Sequence, residues 1–295
     1  MNEEQLQRMK SGKGFIAALD QSGGSTPKTL ANYGVNEKAY SNENEMLEKV
    51  QEMRKRIILS PAFSSEHILG AILFEDTMNR EINELLSADY LWQKKGVVPF
   101  LKIDKGLADE QDGVQIMKHI PDIDKTLELA GKRHIFGTKM RSLIKKANPE
   151  GIKHLVEQQF EYAKQIANAN LVPIVEPEVD IHSPEKREAE KILKEEIIKQ
   201  LQKLPKSTKI MLKLSIPTDN NYYYDLLKDE HIIRIVALSG GYSALEANEK
   251  LSQNKGIIAS FSRTLIAGLT AQQTDETFNR ELEKTIEGIY QASLT

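Results

Sequence analysis

Short apolar runs alternate with helical patterns along most of the chain. Each run is rich in Val, Ile, Leu or Phe, as expected of strands that are buried on both faces. Eight runs can be distinguished: Gly14–Asp20, Ala71–Glu75, Val97–Asp104, His134–Arg141, Leu171–Glu178, Ile210–Ser215, Ile232–Gly240 and Gly256–Arg263. This alternation predicts parallel strands joined by right-handed crossovers. Eight such units in about 250 residues are typical of a (β/α)8 TIM barrel, an α/β fold, although an open doubly wound sheet would give the same pattern.

The segments between the runs have helical spacing. Apolar positions recur every three or four residues, as in Met46, Val50, Met53 and Ile57. Ser243 followed by Glu246 is a capping-box signature for the start of a later helix. A polar helix at Asn2–Lys10 precedes the first strand, and we expect it to cover the bottom of the barrel. No linker rich in Gly, Pro or Ser interrupts residues 1–295, so we expect a single domain.

Composition narrows the class of protein. The net charge of −3 gives no overall attraction to nucleic acid or an anionic membrane. The chain has no cysteine, which excludes disulfides, thiolate catalysis and Cys-ligated metals. Its six histidines show no HxxH or HExxH spacing, so we expect neither a metal nor another cofactor. The polar N-terminus and the lack of a membrane-length apolar stretch favour a cytoplasmic enzyme or binding protein.

Charged residues fall at or near the ends of the apolar runs, and several are two positions apart. They are Asp20, Lys102 with Asp104, Lys139 with Arg141, Glu176 with Glu178, Lys213 and Arg263. Residues two apart share one face of a strand, and an outward charge would be buried beneath the helices. We therefore expect these side chains to point inward at the C-terminal mouth, where barrel enzymes carry their sites. Solvated loop positions, or structural ion pairs such as Lys102 with Asp104, are the competing interpretation.

Two turns near the end of the chain have the composition of an anion site. Ser239-Gly240-Gly241 follows the seventh run and leads into the capped helix, and Ser260-Phe261-Ser262-Arg263 ends the eighth. The loops after strands seven and eight commonly bind phosphate in such barrels. The stretch 22–25, which begins and ends with serine, is a candidate for a second phosphate.

With these motifs in order, the sequence resembles the class I fructose-1,6-bisphosphate aldolase family over about residues 10 to 265. The matching segments are GKGFIAALDQSGGS, GAILFEDT, FLKIDKG, GTKMRS, IVEPEV, ALSGGYS and ASFSRTL. The sixth strand, IMLKLSIPT, is a looser match, but Lys213 falls where the family's Schiff-base lysine is expected. The resemblance implies a metal-independent lyase that cleaves a phosphosugar in glycolysis and gluconeogenesis.

The resemblance also implies a role for each matching residue. Lys213 would attack the ketone, and Glu176, assisted by Glu178, would be its acid and base. Asp20 would handle the proton of the hydroxyl at the cleaved bond, and Lys139 would stabilise charge. The aldehyde-side phosphate would be held by Lys102, Arg141, Ser22 and Ser25. The ketone-side phosphate would be held by Ser239, Gly240 and Arg263.

The sequence departs from animal members of the family. Thr29 stands where they carry an arginine, and the chain ends at Thr295 without their long tail and terminal tyrosine, so it resembles a shorter bacterial form. Homo-oligomer formation is left open. Two alternatives also remain open: a Schiff-base aldolase for another phosphosugar such as tagatose bisphosphate, and a non-catalytic barrel that binds a partner. A metal-dependent aldolase is disfavoured by the histidine spacing.

Overall fold

The computed structural model describes residues 2–22 and 26–295, and in this part of the chain eight parallel strands form one ring. They are β1 (Phe15–Leu19), β2 (Ile68–Leu73), β3 (Val98–Lys102), β4 (Gly137–Ile144), β5 (Val172–Val179), β6 (Ile210–Ser215), β7 (Ile232–Leu238) and β8 (Ile257–Ala259). Each strand pairs with the next in sequence order. The ring closes where the Ala18 amide donates to the Phe261 carbonyl at 3.2 Å. The barrel prediction is confirmed, and the open sheet is excluded.

Helices surround the ring and connect its strands. They are α1 (Glu3–Ser11), α2 (Thr26–Asn32), α3 (Glu43–Leu59), α4 (Glu75–Met78), α5 (Ser87–Asp89), α6 (Ile123–Lys132), α7 (Pro149–Asn168), α8 (Lys186–Leu201), α9 (Ala244–Ser252) and α10 (Asp275–Ala292). A π-helical turn spans Tyr90–Lys94, and 3-10 turns span Glu37–Ala39 and Tyr224–Lys228. As the capping box predicted, the Ser243 hydroxyl accepts from the Glu246 amide at the start of α9.

The interior of the barrel is filled by apolar side chains from the strands. This layer includes Ile16, Ile72, Val98, Phe100, Ile174, Met211, Val236 and Ile258. Phe100 occupies space that two glycines leave free: a β-carbon at Gly70 or Gly137 would lie 3.0 or 2.9 Å from its ring. Met9 of α1 joins the same layer, so the first helix covers the bottom of the barrel as predicted. The charged side chains lie at the opposite end of the barrel, at the mouth formed by the C-terminal ends of the strands.

Two short pairings lie outside the ring. Glu81–Ile82 pairs with Leu85–Leu86 in an antiparallel hairpin. Val114–Gln115 pairs antiparallel with the end of β4, with Val114 opposite Ile144. The second pairing extends β4 three residues past Arg141, which is farther than the apolar run had indicated.

Candidate active site

The register of the strands brings the predicted charges to one level at the mouth. Lys102 at the end of β3 is paired with Lys139 of β4, and Arg141 of β4 is paired with Glu176 of β5. Lys213 lies on the neighbouring β6, and Asp20 directly follows β1. These side chains lie above the apolar layer, so a charged cluster sits on an apolar floor.

Lys139 is at the centre of this cluster. Its Nζ lies 2.7 Å from Asp20 Oδ2, 3.1 Å from Glu176 Oε2 and 3.9 Å from Asp104 Oδ2. The Lys139 side chain is only 3% exposed. A buried ammonium is tolerated only when opposite charges or hydrogen bonds replace the lost water. The three carboxylates, from three different strand ends, supply that compensation.

Lys213 reaches the same network from the next strand. Its Nζ lies 3.0 Å from Glu176 Oε1, and both side chains are at most 5% exposed. Glu176 therefore bridges the two lysines through its two carboxylate oxygens. The chain Lys213–Glu176–Lys139–Asp20 is continuous.

The network fixes the charges of its central members. Burial by itself raises the pKa of Asp20, but the positive charges of Lys139 and Lys213 outweigh it and hold this pKa well below its usual range. Burial lowers the pKa of Lys139, yet the carboxylates of Asp20, Glu176 and Asp104 outweigh it and raise this pKa above its usual range. Asp20 is therefore ionised and Lys139 protonated around neutral pH.

Two further ion pairs line the rim. Lys102 Nζ lies 2.7 Å from Asp104 Oδ1, which is the pair anticipated from the sequence. Arg141 donates from Nε to Glu178, and its side chain is one-third exposed. Burial lowers the pKa of Arg141, but the Glu178 carboxylate outweighs it and raises this pKa. Lys102 is only 12% exposed, and both cations are already adjacent to carboxylates, so an anionic ligand would have to share or displace those partners.

The predicted anion turn after β7 lies beside Arg263. Gly240 has a φ of +61°, and a β-carbon there would lie 2.6 Å from Ile181 Cγ2, so only glycine fits without a shift. A β-carbon at Gly241 would lie 3.7 Å from Arg263 Nη2. The turn and the guanidinium, far apart in sequence, thus meet in space. Ser239 is buried, whereas Arg263 is exposed.

Most of the predicted site residues are brought together. Lys213, Glu176, Lys139 and Asp20 form one buried network, with Lys102, Arg141 and Glu178 in ion pairs on strands of the same mouth. Ser22 follows Asp20 after β1 and is partly exposed, while Ser25 lies outside the described residues.

The sequence placed Asp104 in the inward cluster, with Lys102 as its possible ion-pair partner, and Ser260 in the turn before Arg263, but neither residue was assigned a role toward the substrate. Asp104 contacts both Lys102 and Lys139 and accepts from the Arg141 amide at 3.3 Å. Its two-residue spacing from Lys102 was the available signal. Ser260 is 1% exposed, and its hydroxyl has no hydrogen-bond partner within residues 2–22 and 26–295.

The fold and the site together define a TIM barrel with a buried lysine–carboxylate network at its C-terminal mouth. A family model for fructose-bisphosphate aldolase class-I matches residues 3–220. The fructose-bisphosphate aldolase class 1 of Clostridium acetobutylicum is 61% identical over 295 residues, covering 100% of both chains. That of Synechocystis sp. is 58% identical over 294 residues, covering 100% of this chain and 98% of its own. This chain therefore belongs to the class I fructose-bisphosphate aldolase family, as the motifs had indicated.

A solved structure supports the fold independently of close sequence similarity. Fructose-bisphosphate aldolase from Plasmodium falciparum, in a complex with TRAP and a small-molecule inhibitor, matches with a TM-score of 0.72 at 19% identity. The match covers 98% of this chain and 93% of that one. Within the described residues, no helix is long and apolar enough to span a membrane.

Proposed function

We propose that this chain is a cytoplasmic, single-domain, metal-independent aldolase. It reversibly cleaves fructose 1,6-bisphosphate to dihydroxyacetone phosphate and glyceraldehyde 3-phosphate, in glycolysis and gluconeogenesis, through an imine on Lys213. The observation that carries the proposal is the buried Lys213–Glu176–Lys139–Asp20 chain. Family membership supplies the reaction class, and the chain of contacts supplies a residue for each step.

The covalent step begins at Lys213. A neutral amine attacks the ketone carbon, the carbonyl oxygen takes a proton, and loss of water from the carbinolamine leaves the iminium. Each of these transfers needs an acid or base at the reacting centre, and Glu176 Oε1 lies 3.0 Å from Lys213 Nζ. Glu178, two residues along the same strand, assists. A covalent iminium then accepts the electron pair of the cleaved carbon–carbon bond.

Bond cleavage also requires a base for the hydroxyl on the departing aldehyde. Asp20 suits this role because its pKa is held low by Lys139 and Lys213 against the effect of burial, so it is ionised and able to accept a proton. Lys139, 2.7 Å from Asp20, stays protonated and offsets the negative charges that Asp20 and Glu176 carry before the proton is transferred. The proton moves from the hydroxyl oxygen to Asp20 as the carbonyl of the aldehyde forms.

The two phosphates would lie on opposite sides of this network. Lys102 and Arg141, with Ser22 and Ser25, would hold the aldehyde-side phosphate. Ser239, Gly240 and Arg263 would hold the ketone-side phosphate, and the adjacency of the glycine turn to Arg263 supports this assignment. Charge-assisted contacts to phosphate explain why a chain of net charge −3 collects cations at one mouth.

Borohydride trapping tests the proposal. The protein is incubated with dihydroxyacetone phosphate in the presence of EDTA, reduced, digested and analysed by peptide mass. We expect a stable secondary amine on the peptide that contains Lys213, since a covalent iminium needs no metal. Lys213→Met should show no adduct. An adduct on Lys139 or Lys102 would overturn the assignment of the lysine. Activity that EDTA abolishes and zinc restores, with no adduct, would overturn the proposed reaction type.

Arg263→Ala tests the phosphate assignment. A hydrogen bond from a charged group is worth about 1.5–3 kcal/mol, so the affinity for dihydroxyacetone phosphate should fall by about tenfold to a hundredfold. Isothermal titration measures this directly. Arg187→Ala removes another guanidinium, one that pairs on the surface with Asp219, and should leave the affinity unchanged. Equal affinities for Arg263→Ala and the unmodified protein would refute the placement of the ketone-side phosphate.

A further inference from the structure

Arg54 is a fully buried arginine outside the network described above. It lies on α3, on the apolar stripe one turn after Val50, and its side chain is inaccessible to solvent. Its Nη1 donates to Thr77 Oγ1 at 3.0 Å, and its Nη2 donates to the Gln21 carbonyl. Thr77 Oγ1 in turn donates to Gln51 Oε1 at 3.0 Å, so the acceptor is itself held in place.

This arginine is costly for the fold. A buried guanidinium loses its hydration, and it is normally compensated by a carboxylate in direct contact. Arg54 instead has a carbonyl, a hydroxyl and the ring of Phe74, 5.8 Å from its Cζ, and Nε has no partner among the described residues. Burial lowers its pKa to about 10 against the opposing charges of Asp20 and Asp76, so it remains protonated at neutral pH. An apolar residue would fill the stripe at less cost, which suggests that the charge has a use.

The Gln21 carbonyl that Arg54 holds is one residue past Asp20. The Gln21 side chain is also fixed, because its Nε2 donates to Ser262 Oγ at 2.8 Å, next to Arg263. On the strand side, the Ala18 amide donates to the Phe261 carbonyl at 3.2 Å. The backbone on both sides of Asp20 is thus held by hydrogen bonds. Before Asp20 the bond is from the Ala18 amide, and after Asp20 it is from the charged Arg54 guanidinium to the Gln21 carbonyl.

We propose that Arg54 is a positioning residue that holds Asp20 in the geometry needed for carbon–carbon bond cleavage. It acts through the Gln21 peptide and does not contact the substrate. The inference rests on the aldol cleavage proposed above, in which Asp20 serves the cleavage step while Lys213 and Glu176 serve imine formation. Loss of Arg54 should therefore slow one step and spare the other, which a general loss of packing would not do.

The test compares Arg54→Met with Arg234→Met. Arg234 is the matched control because it also donates to backbone carbonyls, of Met9 and Gly12, and burial likewise lowers its pKa, but it lies at the opposite end of the barrel. Cleavage of fructose 1,6-bisphosphate is measured as kcat. Borohydride trapping is measured separately with dihydroxyacetone phosphate, and also during turnover, when the mass distinguishes a hexose adduct from a triose adduct on Lys213.

We expect Arg54→Met to lower kcat roughly 10²-fold, the effect of a misplacement of about 1 Å, while the rate of triose trapping stays near that of the unmodified protein. The hexose adduct should accumulate during turnover. Arg234→Met should change neither kcat nor the rate of triose trapping. If Arg54→Met does not fold, Arg54→Lys serves instead: its single ammonium cannot reproduce both donors, so a smaller loss of kcat with unchanged trapping is expected. A kcat equal to that of the unmodified protein, in whichever Arg54 variant folds, would overturn the role of Arg54. So would a parallel fall in kcat and in the trapping rate that is the same in the Arg54 and Arg234 variants. Absence of any Lys213 adduct in the unmodified protein would instead overturn the proposed function.

Discussion

Glu176→Gln should lower kcat for fructose 1,6-bisphosphate cleavage by about 10²–10⁴-fold, the usual contribution of a general acid–base group. Glutamine keeps the size and polarity of the side chain but cannot transfer the protons that carbinolamine formation and dehydration require. Binding should change far less, because Glu176 is buried between two lysines and is not assigned to either phosphate. Steady-state kcat and the dissociation constant of dihydroxyacetone phosphate together measure the split.

Glu178→Gln is the matched control for this prediction. Glu178 lies two residues further along the same face of β5, but it pairs with Arg141 at the rim and, in the described structure, makes no ion pair with Lys213 or Lys139. Glu178→Gln should lower kcat less than Glu176→Gln does. If Glu178→Gln instead stops turnover while Glu176→Gln retains it, Glu178 is the acid and Glu176 an ion-pair partner. A collapse of binding with turnover maintained would make Glu176 a positioning group.

The barrel itself was accessible from the sequence because its signal is repeated. Eight apolar runs separated by helical spacing each correspond to one strand of the ring, and Ile210–Ser215 is reproduced residue for residue. The boundaries deviated where tertiary packing decides them. β2 begins at Ile68, three residues before the predicted Ala71. Gly70 lies inside this strand, where its missing β-carbon makes room for the ring of Phe100 in the barrel interior.

The last strand also ends where tertiary packing decides, earlier than the sequence predicted. The run Gly256–Arg263 predicted a strand up to Arg263, but β8 comprises only Ile257–Ala259. Beyond it, the chain turns so that the Phe261 carbonyl can accept from Ala18 and close the ring. Ring closure joins residues more than 240 positions apart, and no local pattern reports it.

In the candidate site, too, features set by local spacing were predictable, and features set by contacts between strands were not. Charges two apart at strand ends predicted the inward cluster, because the period of a strand is local. Pairing between side chains of different strands was not predictable, since it depends on the register between the strands, which places Arg141 beside Glu176. Arg54 was missed because its helix was assigned from its apolar positions alone. A charged residue four positions after Val50, within the buried stripe, was the signal that could have found it.

Lys139→Met should destabilise the fold by about 3–5 kcal/mol at neutral pH, the usual cost of removing one partner from a buried ion pair. Asp20, Glu176 and Asp104 would then face one another with the central cation gone, and Lys213 contacts only one of them, Glu176. Urea unfolding at 25 °C measures the change. Lys102→Met is the control, because Asp104 is the only ion-pair partner of Lys102 among residues 2–22 and 26–295, and Lys102 is more exposed. It should cost clearly less.

The pH dependence of this loss follows from the direction of the shifts. Burial raises the pKa values of Asp20 and Asp104, but Lys139 and the other nearby lysines outweigh it and hold both below the usual range. A carboxylate with a depressed folded pKa contributes stability above its unfolded pKa, about 3.9 for Asp, and loses it as pH falls through the folded value. Lys139, whose folded pKa is raised, contributes fully below about pH 10.4. The gap between the unmodified protein and Lys139→Met should therefore be constant from about pH 5 to 9 and narrow below about pH 4. A gap that widens in acid would show that Lys139 does not stabilise the protein through these carboxylates.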